Sequence, residues 1–152
     1  MRAHDSYDYA VIRVVPRVER EEFVNVGIIL SCEATRYLDA RVELDEARVR
    51  ALDPAIDLDA VRRHLASFPA ICRGGPDSGP IGQLPLRARF HWLTAKRSAI
   101  IQTSPVHTGR CTDMAATMEH LLDRMVRVPR SQQKGSGPAG ASEGLLPARP
   151  LR

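Results

Sequence analysis

Residues 23–32 read Phe-Val-Asn-Val-Gly-Ile-Ile-Leu-Ser-Cys, and the period of this stretch decides the fold. One parity, Val24, Val26, Ile28, Leu30 and Cys32, is wholly apolar. Successive side chains of a strand point to opposite faces, so this row is expected to form one core face. The other parity carries Phe23, Asn25, Gly27, Ile29 and Ser31, an unusual mixture for a plain solvent face. Working outward, residues 7–15 are β-branched and aromatic with apolar side chains at both parities, as in an inner strand covered on much of both faces; Arg13 is the exception. Residues 36–44 alternate, with Leu38, Ala40, Val42 and Leu44 expected inward and Tyr37, Asp39, Arg41 and Glu43 expected in water. Residues 98–103 read as a further strand, ended by Pro105.

Helical patterns follow. Asp45 is placed to cap a short helix through Leu52, and Asp53-Pro54 offers a second start. Leu58, Val61, Leu65 and Phe68 then share one helical face opposite Arg62 and Arg63. Residues 73–85 hold four glycines and three prolines and are expected to form a loop. Leu86, Phe90 and Leu93 favour a short helix over residues 85–95. Thr112 is expected to cap a last helix with the apolar stripe Met114, Met118, Leu121 and Met125. Strands first and helices after, with no regular βαβ alternation, point to an α+β domain: a mostly antiparallel sheet of about four strands with helices packed on one face.

The chain has 152 residues, 43% hydrophobic and 26% charged, which fits one domain over residues 1–128. Residues 129–152 are rich in Gly, Pro and Ser and lack hydrophobic periodicity, so a disordered tail is expected there. Through residue 126 there are 17 basic and 17 acidic residues; from Arg127 onward there are 5 and 1, so the whole net charge of +4 arises from Arg127 and the tail that follows it. Those charges are dispersed and have no aromatic among them to stack a base, which makes nucleic-acid binding the weakest of the readings considered. No apolar run approaches the ~20 residues of a spanning helix. The polar N-terminus lacks an export signal of the usual type. Cys32, Cys72 and Cys111 form no Cys-x-x-Cys pair and read as free thiols of a reducing compartment. A cytoplasmic protein without membrane contact is expected.

The standard catalytic signatures are absent: no phosphate-binding P-loop, no dinucleotide fingerprint, no His-Glu-x-x-His and no Gly-x-Ser-x-Gly. His107 with Cys111 is the best local offer to zinc and is too sparse, so no metal and no cofactor is expected. Two polar clusters remain. Lys96, Arg97, Ser98, Gln102, Ser104, His107, Thr108 and Gly109 combine a cationic fork, hydroxyls and an imidazole, groups suited to holding a phosphate or carboxylate. The same residues would equally satisfy turns and surface ion pairs. Arg13, Glu22, Asn25 and Gly27 form the second cluster. If strands one and two pair, Arg13 and Asn25 share a face, and Gly27 leaves room for a ligand or another backbone. An arginine in a largely apolar strand needs a partner, and Glu22 as a structural ion pair is the plainer answer. Asp57 and Asp59 fall in a first helical turn and are assigned to capping. Ser104 and His107 lack an orienting acid, and Pro105 lies between them.

Three ordered blocks, Y-D-Y-A-V-I-R-V-V-P from Tyr7, E-E-F-V-N-V-G-I-I-L from Glu21 and F-H-W-L-T-A-K-R-S-A-I-I-Q-T-S-P-V-H-T-G from Phe90, resemble the bacterial family DUF3037. The resemblance runs from about Tyr7 to Met125, and its recurrent blocks fall on Arg13, Pro16, Glu22, Asn25, Gly27, Arg97, Ser98, Gln102, Ser104, Pro105, His107 and Gly109. It implies no activity, because the family is uncharacterised. It implies a context: such proteins resemble those encoded beside a serine/threonine kinase of the HipA kind. The chain itself lacks the glycine-rich and catalytic loops of a kinase. The leading expectation is therefore a non-enzymatic accessory domain that binds a protein partner, with a HipA-like kinase as the suspected one. The alternative is a small enzyme or ligand-binding domain for a phosphorylated or carboxylated molecule, with Arg13, Asn25 and Arg97 as anion contacts and His107 as acid or base. The enzyme requires those four residues in one concave pocket; a binding module does not.

Overall fold

A computed structural model describes residues 4–97 and 99–129; the expected tail from Arg130 onward and Ser98 lie outside the described residues. Strand β1 (Asp5–Val14) is the centre of the sheet, and β2 (Val24–Cys32) and β3 (Tyr37–Val42) follow it as an antiparallel meander. The other edge of β1 pairs antiparallel with β4 (Ile101–Thr103) through Ile12–Val14 and with β5 (His107–Cys111) through Asp5–Tyr9. The order is β3-β2-β1-β4, with β5 also on β1. The last expected strand, residues 98–103, is found as β4 over its final three residues, and β5, beyond Ser104-Pro105-Val106, is a fifth strand that the expectation of about four did not include. Proline has no N–H for the ladder, and serine bridges the gap. Ser104 N donates to Val11 O at 2.8 Å, and the Ser104 hydroxyl accepts the Val11 N–H at 2.8 Å.

Strand β2 departs from simple alternation. The β1–β2 register pairs Ile12 with Gly27 and Arg13 with Asn25, so Val26 is an extra residue and forms a β-bulge. Its phase shift divides the apolar row. Val24 and Val26 pack with Ile12, Val14 and Ile29 in one buried cluster, whereas Ile28 and Leu30 pack with Val11 in another. The expectation of a single core face for that row is corrected: it serves both faces. Gly27 is required by β3, because a Cβ there would stand 2.6 Å from Arg41 O. Backbone, not ligand, makes the close approach.

Both clusters need cover. Helices α1 (Glu46–Leu52) and α2 (Leu58–Arg73), the single turn α3 (Gly79–Gly82) and α4 (Leu86–Thr94) follow β3 in sequence. Val49, Leu58, Val61, Leu65, Phe68, Phe90 and Leu93 from α1, α2 and α4 close the first cluster. The last helix, α5 (Met114–Met125), closes the second with Met118, Leu121 and Leu122. The α+β class and antiparallel sheet are as expected, but helices lie on both faces. The reason is energetic, since leaving Val11, Ile28 and Leu30 in water would forgo roughly 1.5–3 kcal/mol for each large side chain. Helix α5 also reaches the outward row of β3, where Glu119 pairs with Arg41, and Arg127 just beyond the helix pairs with Glu43. That row is bridged by charge and not simply wet.

Asp45 caps α1 by accepting from Arg48 N at 3.2 Å. Helix α2 starts later than Asp53-Pro54: Asp57 accepts from Ala60 N at 3.1 Å, while the Asp53 carboxylate is used by Ala55 N. Asp59 pairs with Arg62. Asp113, one residue after Thr112, caps α5 through Ala116 N. The glycine-rich segment holds a 3-10 turn (Pro76–Ser78) and α3. Among the described residues no helix is long and apolar enough to cross a membrane.

Candidate functional site: a cationic and aromatic cleft

The register sets one polar row across three strands. Arg13 on β1 lies opposite Asn25 on β2 and opposite Gln102 on β4, and directly paired residues of adjacent strands share a face. Asn25 is anchored first: its amide nitrogen donates to Met125 O, at the end of α5, at 3.0 Å. A carbonyl only accepts, which fixes the amide orientation, and Asn25 Oδ1 is left buried without a hydrogen-bond partner among the described residues. Gln102 is held the same way, by donation from Nε2 to Ala99 O at 2.9 Å.

Arg13 carries an unusual burden. Its guanidinium carbon lies 4.1 Å from the centroid of the Phe23 ring, and its Nε is buried with no partner among the described residues. Burial pushes the guanidinium below its ordinary value. The expected ion pair with Glu22 does not form, because Glu22 pairs with Arg20 at the surface. A left-handed backbone at Glu21 (φ 57°) ends the 3-10 turn Val18–Arg20 just before Phe23 and Val24. Arg97, in the connection from α4 to β4, repeats the arrangement: its guanidinium carbon is 4.1 Å from the Trp92 ring and its Nη2 donates to Trp92 O at 2.6 Å.

Arg13 and Arg97 line one cavity of about 350 Å³ together with Val15, Val18, Glu21, Phe23 and Gln102. A neighbouring cavity of about 330 Å³ shares Arg97 and Gln102 and adds Lys96 and Thr103. None of the ion pairs formed among the described residues includes Arg13, Lys96 or Arg97. Phe23, Trp92 and Val18 are 45%, 38% and 37% exposed. Large apolar side chains and guanidinium groups without a carboxylate partner among the described residues thus stand together in one open patch.

The other candidates lie elsewhere. Ser104 is buried, its hydroxyl bonded to Val11 N and Pro105 O. His107 is exposed and sits opposite Tyr9, with ring centroids 5.4 Å apart. Arg13 lies four positions along β1 from Tyr9, roughly 13 Å along the strand. Thr108 donates to Asp8 at 2.8 Å, and Asp8 in turn pairs with Arg87. Gly109 lies under the Tyr7 ring, where a Cβ would meet the ring at 2.4 Å. The structure therefore brings Arg13, Asn25, Gln102 and Arg97 toward one place, and leaves Glu22, Ser104, His107 and Thr108 outside it. Sequence reading had not singled out Trp92, Val18 or Phe23 as site residues. Phe23 and Trp92 had visible signals: one breaks the parity of its strand, and the other is an aromatic five residues before an arginine at a helix end.

Among the described residues no group of three or more histidines, cysteines or carboxylates is placed to hold a metal. No curated protein and no solved structure matches the chain significantly. Residues 9–126, most of the chain and all of the sheet except the first four residues of β1, match a described protein family, and the chain belongs to it: the family of proteins of unknown function DUF3037.

Proposed function

We propose that this chain is a non-enzymatic accessory or regulatory domain, cytoplasmic in location, that binds a protein partner through the patch around Arg13 and Arg97. The observation that carries this reading is the exposure of Phe23, Trp92 and Val18 beside two arginines that have no carboxylate partner among the described residues. Aromatic and arginine side chains dominate binding energy at protein interfaces, and a lone soluble domain gains nothing by presenting them together. A HipA-like kinase remains the partner that the family resemblance suggests. The competing reading, a small enzyme or binding domain for a phosphorylated or carboxylated molecule, draws support from the shared cavity of Arg13 and Arg97. The acid or base expected for it, His107, is not among the residues lining that cavity, since its partner Tyr9 stands roughly 13 Å along β1 from Arg13.

The test is co-purification of the tagged full chain from its native cytoplasm, in parallel with Phe23→Ser. Phe23 is half exposed, so the substitution spares the core. A stoichiometric protein that accompanies the wild type and is absent from Phe23→Ser supports the reading. A chain that purifies alone, or carries a small phosphorylated molecule, overturns it.

A further inference from the structure

The cleft also constrains what the partner presents. This step rests on the reading that the Arg13–Arg97 patch binds a protein. Two guanidinium groups line the cavity, each covered on one side by an aromatic ring. Arg97 spends one N–H on Trp92 O, and Arg13 makes no hydrogen bond among the described residues through its buried Nε. The remaining N–H groups call for anionic oxygen. Acceptors stand beside them. Gln102 has its nitrogen committed to Ala99 O, which leaves Oε1 as the group it offers the cavity, and Glu21 adds a carboxylate on the wall. A compact phosphate dianion suits the arginines but has no donor for these oxygens and meets the Glu21 carboxylate with two charges where a carboxylate brings one. A carboxylate carried on a peptide suits both: its oxygens accept from arginine in the bidentate manner, and the adjoining main-chain N–H groups donate to Gln102 Oε1. Val15, Val18 and Phe23 give its aliphatic part an apolar wall. Lys96, in the neighbouring cavity, extends the positive field along the same surface.

We infer that the cleft recognises an acidic segment of the partner protein, seating an Asp, Glu or C-terminal carboxylate between Arg13 and Arg97. The probe is a display library of random linear peptides selected on the full chain. Selected peptides are then titrated by the fluorescence of Trp92, the sole tryptophan, which lies against Arg97. The expected result is a shared acidic position in the selected peptides. Exchange of that residue for its amide, or Arg13→Met or Arg97→Gln in the protein, should weaken binding at least ~10-fold, as expected for loss of a charge-assisted hydrogen bond. Thermal unfolding confirms that each variant is folded. Inorganic phosphate should not displace the peptide beyond its effect as salt. Selected peptides with no common acidic position, no selected peptides at all, binding indifferent to both arginine substitutions, or specific displacement by phosphate would each overturn the inference. The two levels separate cleanly. A partner lost on Phe23→Ser whose contacting segment carries no carboxylate leaves the binding reading standing and removes this one, whereas a chain that purifies alone removes both.

Discussion

Arg13→Met separates a binding role from a structural one, because the two predict opposite signs. The native guanidinium has a buried Nε–H with no partner among the described residues, and an unsatisfied buried donor costs about 1–3 kcal/mol. Against this stands the contact with Phe23, a half-exposed ring, where a cation over an aromatic face contributes about 0.5–1 kcal/mol. Methionine keeps an unbranched stem against the ring and removes the donor. The balance is a variant more stable by roughly 1 kcal/mol, which for a domain of this size raises Tm by about 4 °C. Thermal unfolding by circular dichroism at neutral pH measures it, with urea denaturation as a check that the m-value is unchanged. Arginine would then be a residue that costs stability and is kept for binding. A Tm lowered by a similar amount would refute the reasoning, since it would mean that Arg13 has a favourable structural partner in the folded protein.

Four further outcomes follow from the same geometry. Ser104→Ala strips the Val11 N–H of its buried acceptor and should destabilise the domain by about 1–3 kcal/mol in urea denaturation, with partner binding unchanged once folded. Gly27→Ala drives a Cβ against the β3 backbone at Arg41 O, and overpacking of this kind should cost about 1–3 kcal/mol by the same measurement. Hydrogen bonds from Arg127 to Glu43, and from Arg41 and Arg127 to Glu119, hold both carboxyls below their ordinary value of 4.5. A depressed folded value means that the linked stability is present above that pH and is lost as the pH falls through the folded values, so Tm should drop on acidification below about 4.5, and Arg127→Gln should flatten that limb. Burial pushes the Cys72 thiol up to about 12, so Cys72 should resist alkylation in the native protein at neutral pH while the half-buried Cys111 reacts first, as read by peptide mass mapping.

Local chemistry in the sequence reached a good part of this architecture. The alternation of residues 36–44, the aspartate before Glu46 and the 3.6-residue spacing of Leu58, Val61, Leu65 and Phe68 each depend on neighbours a few positions away, and strand β3 and helices α1 and α2 appear where those patterns put them. The row of Val24, Val26, Ile28, Leu30 and Cys32 misled for a physical reason. A β-bulge is a property of two strands, fixed by register, and a single strand's periodicity carries no sign of it. The serine-proline break between β4 and β5 is similar, because the hydroxyl of Ser104 completes a ladder with Val11, 93 residues away.

For the candidate site the division is the same. The sequence by itself marked Arg13, Asn25, Arg97 and Gln102 as polar residues set in apolar strands or beside them, because a charged or amide side chain in such surroundings must find a partner or a task. It also grouped them with Glu22, Ser104, His107 and Thr108, since nearness along the chain was the only distance it offered. Tertiary structure decided which belong together: the antiparallel pairing of β1 with both β2 and β4 sets Arg13 beside Asn25 and Gln102, and its pairing with β5 sets His107 opposite Tyr9, four positions back along the strand. Strand pairing converts separation along the chain into position across a sheet. That register is set by the packing of Val11, Ile12 and Val14 between two layers of helices, a long-range balance that no local pattern contains.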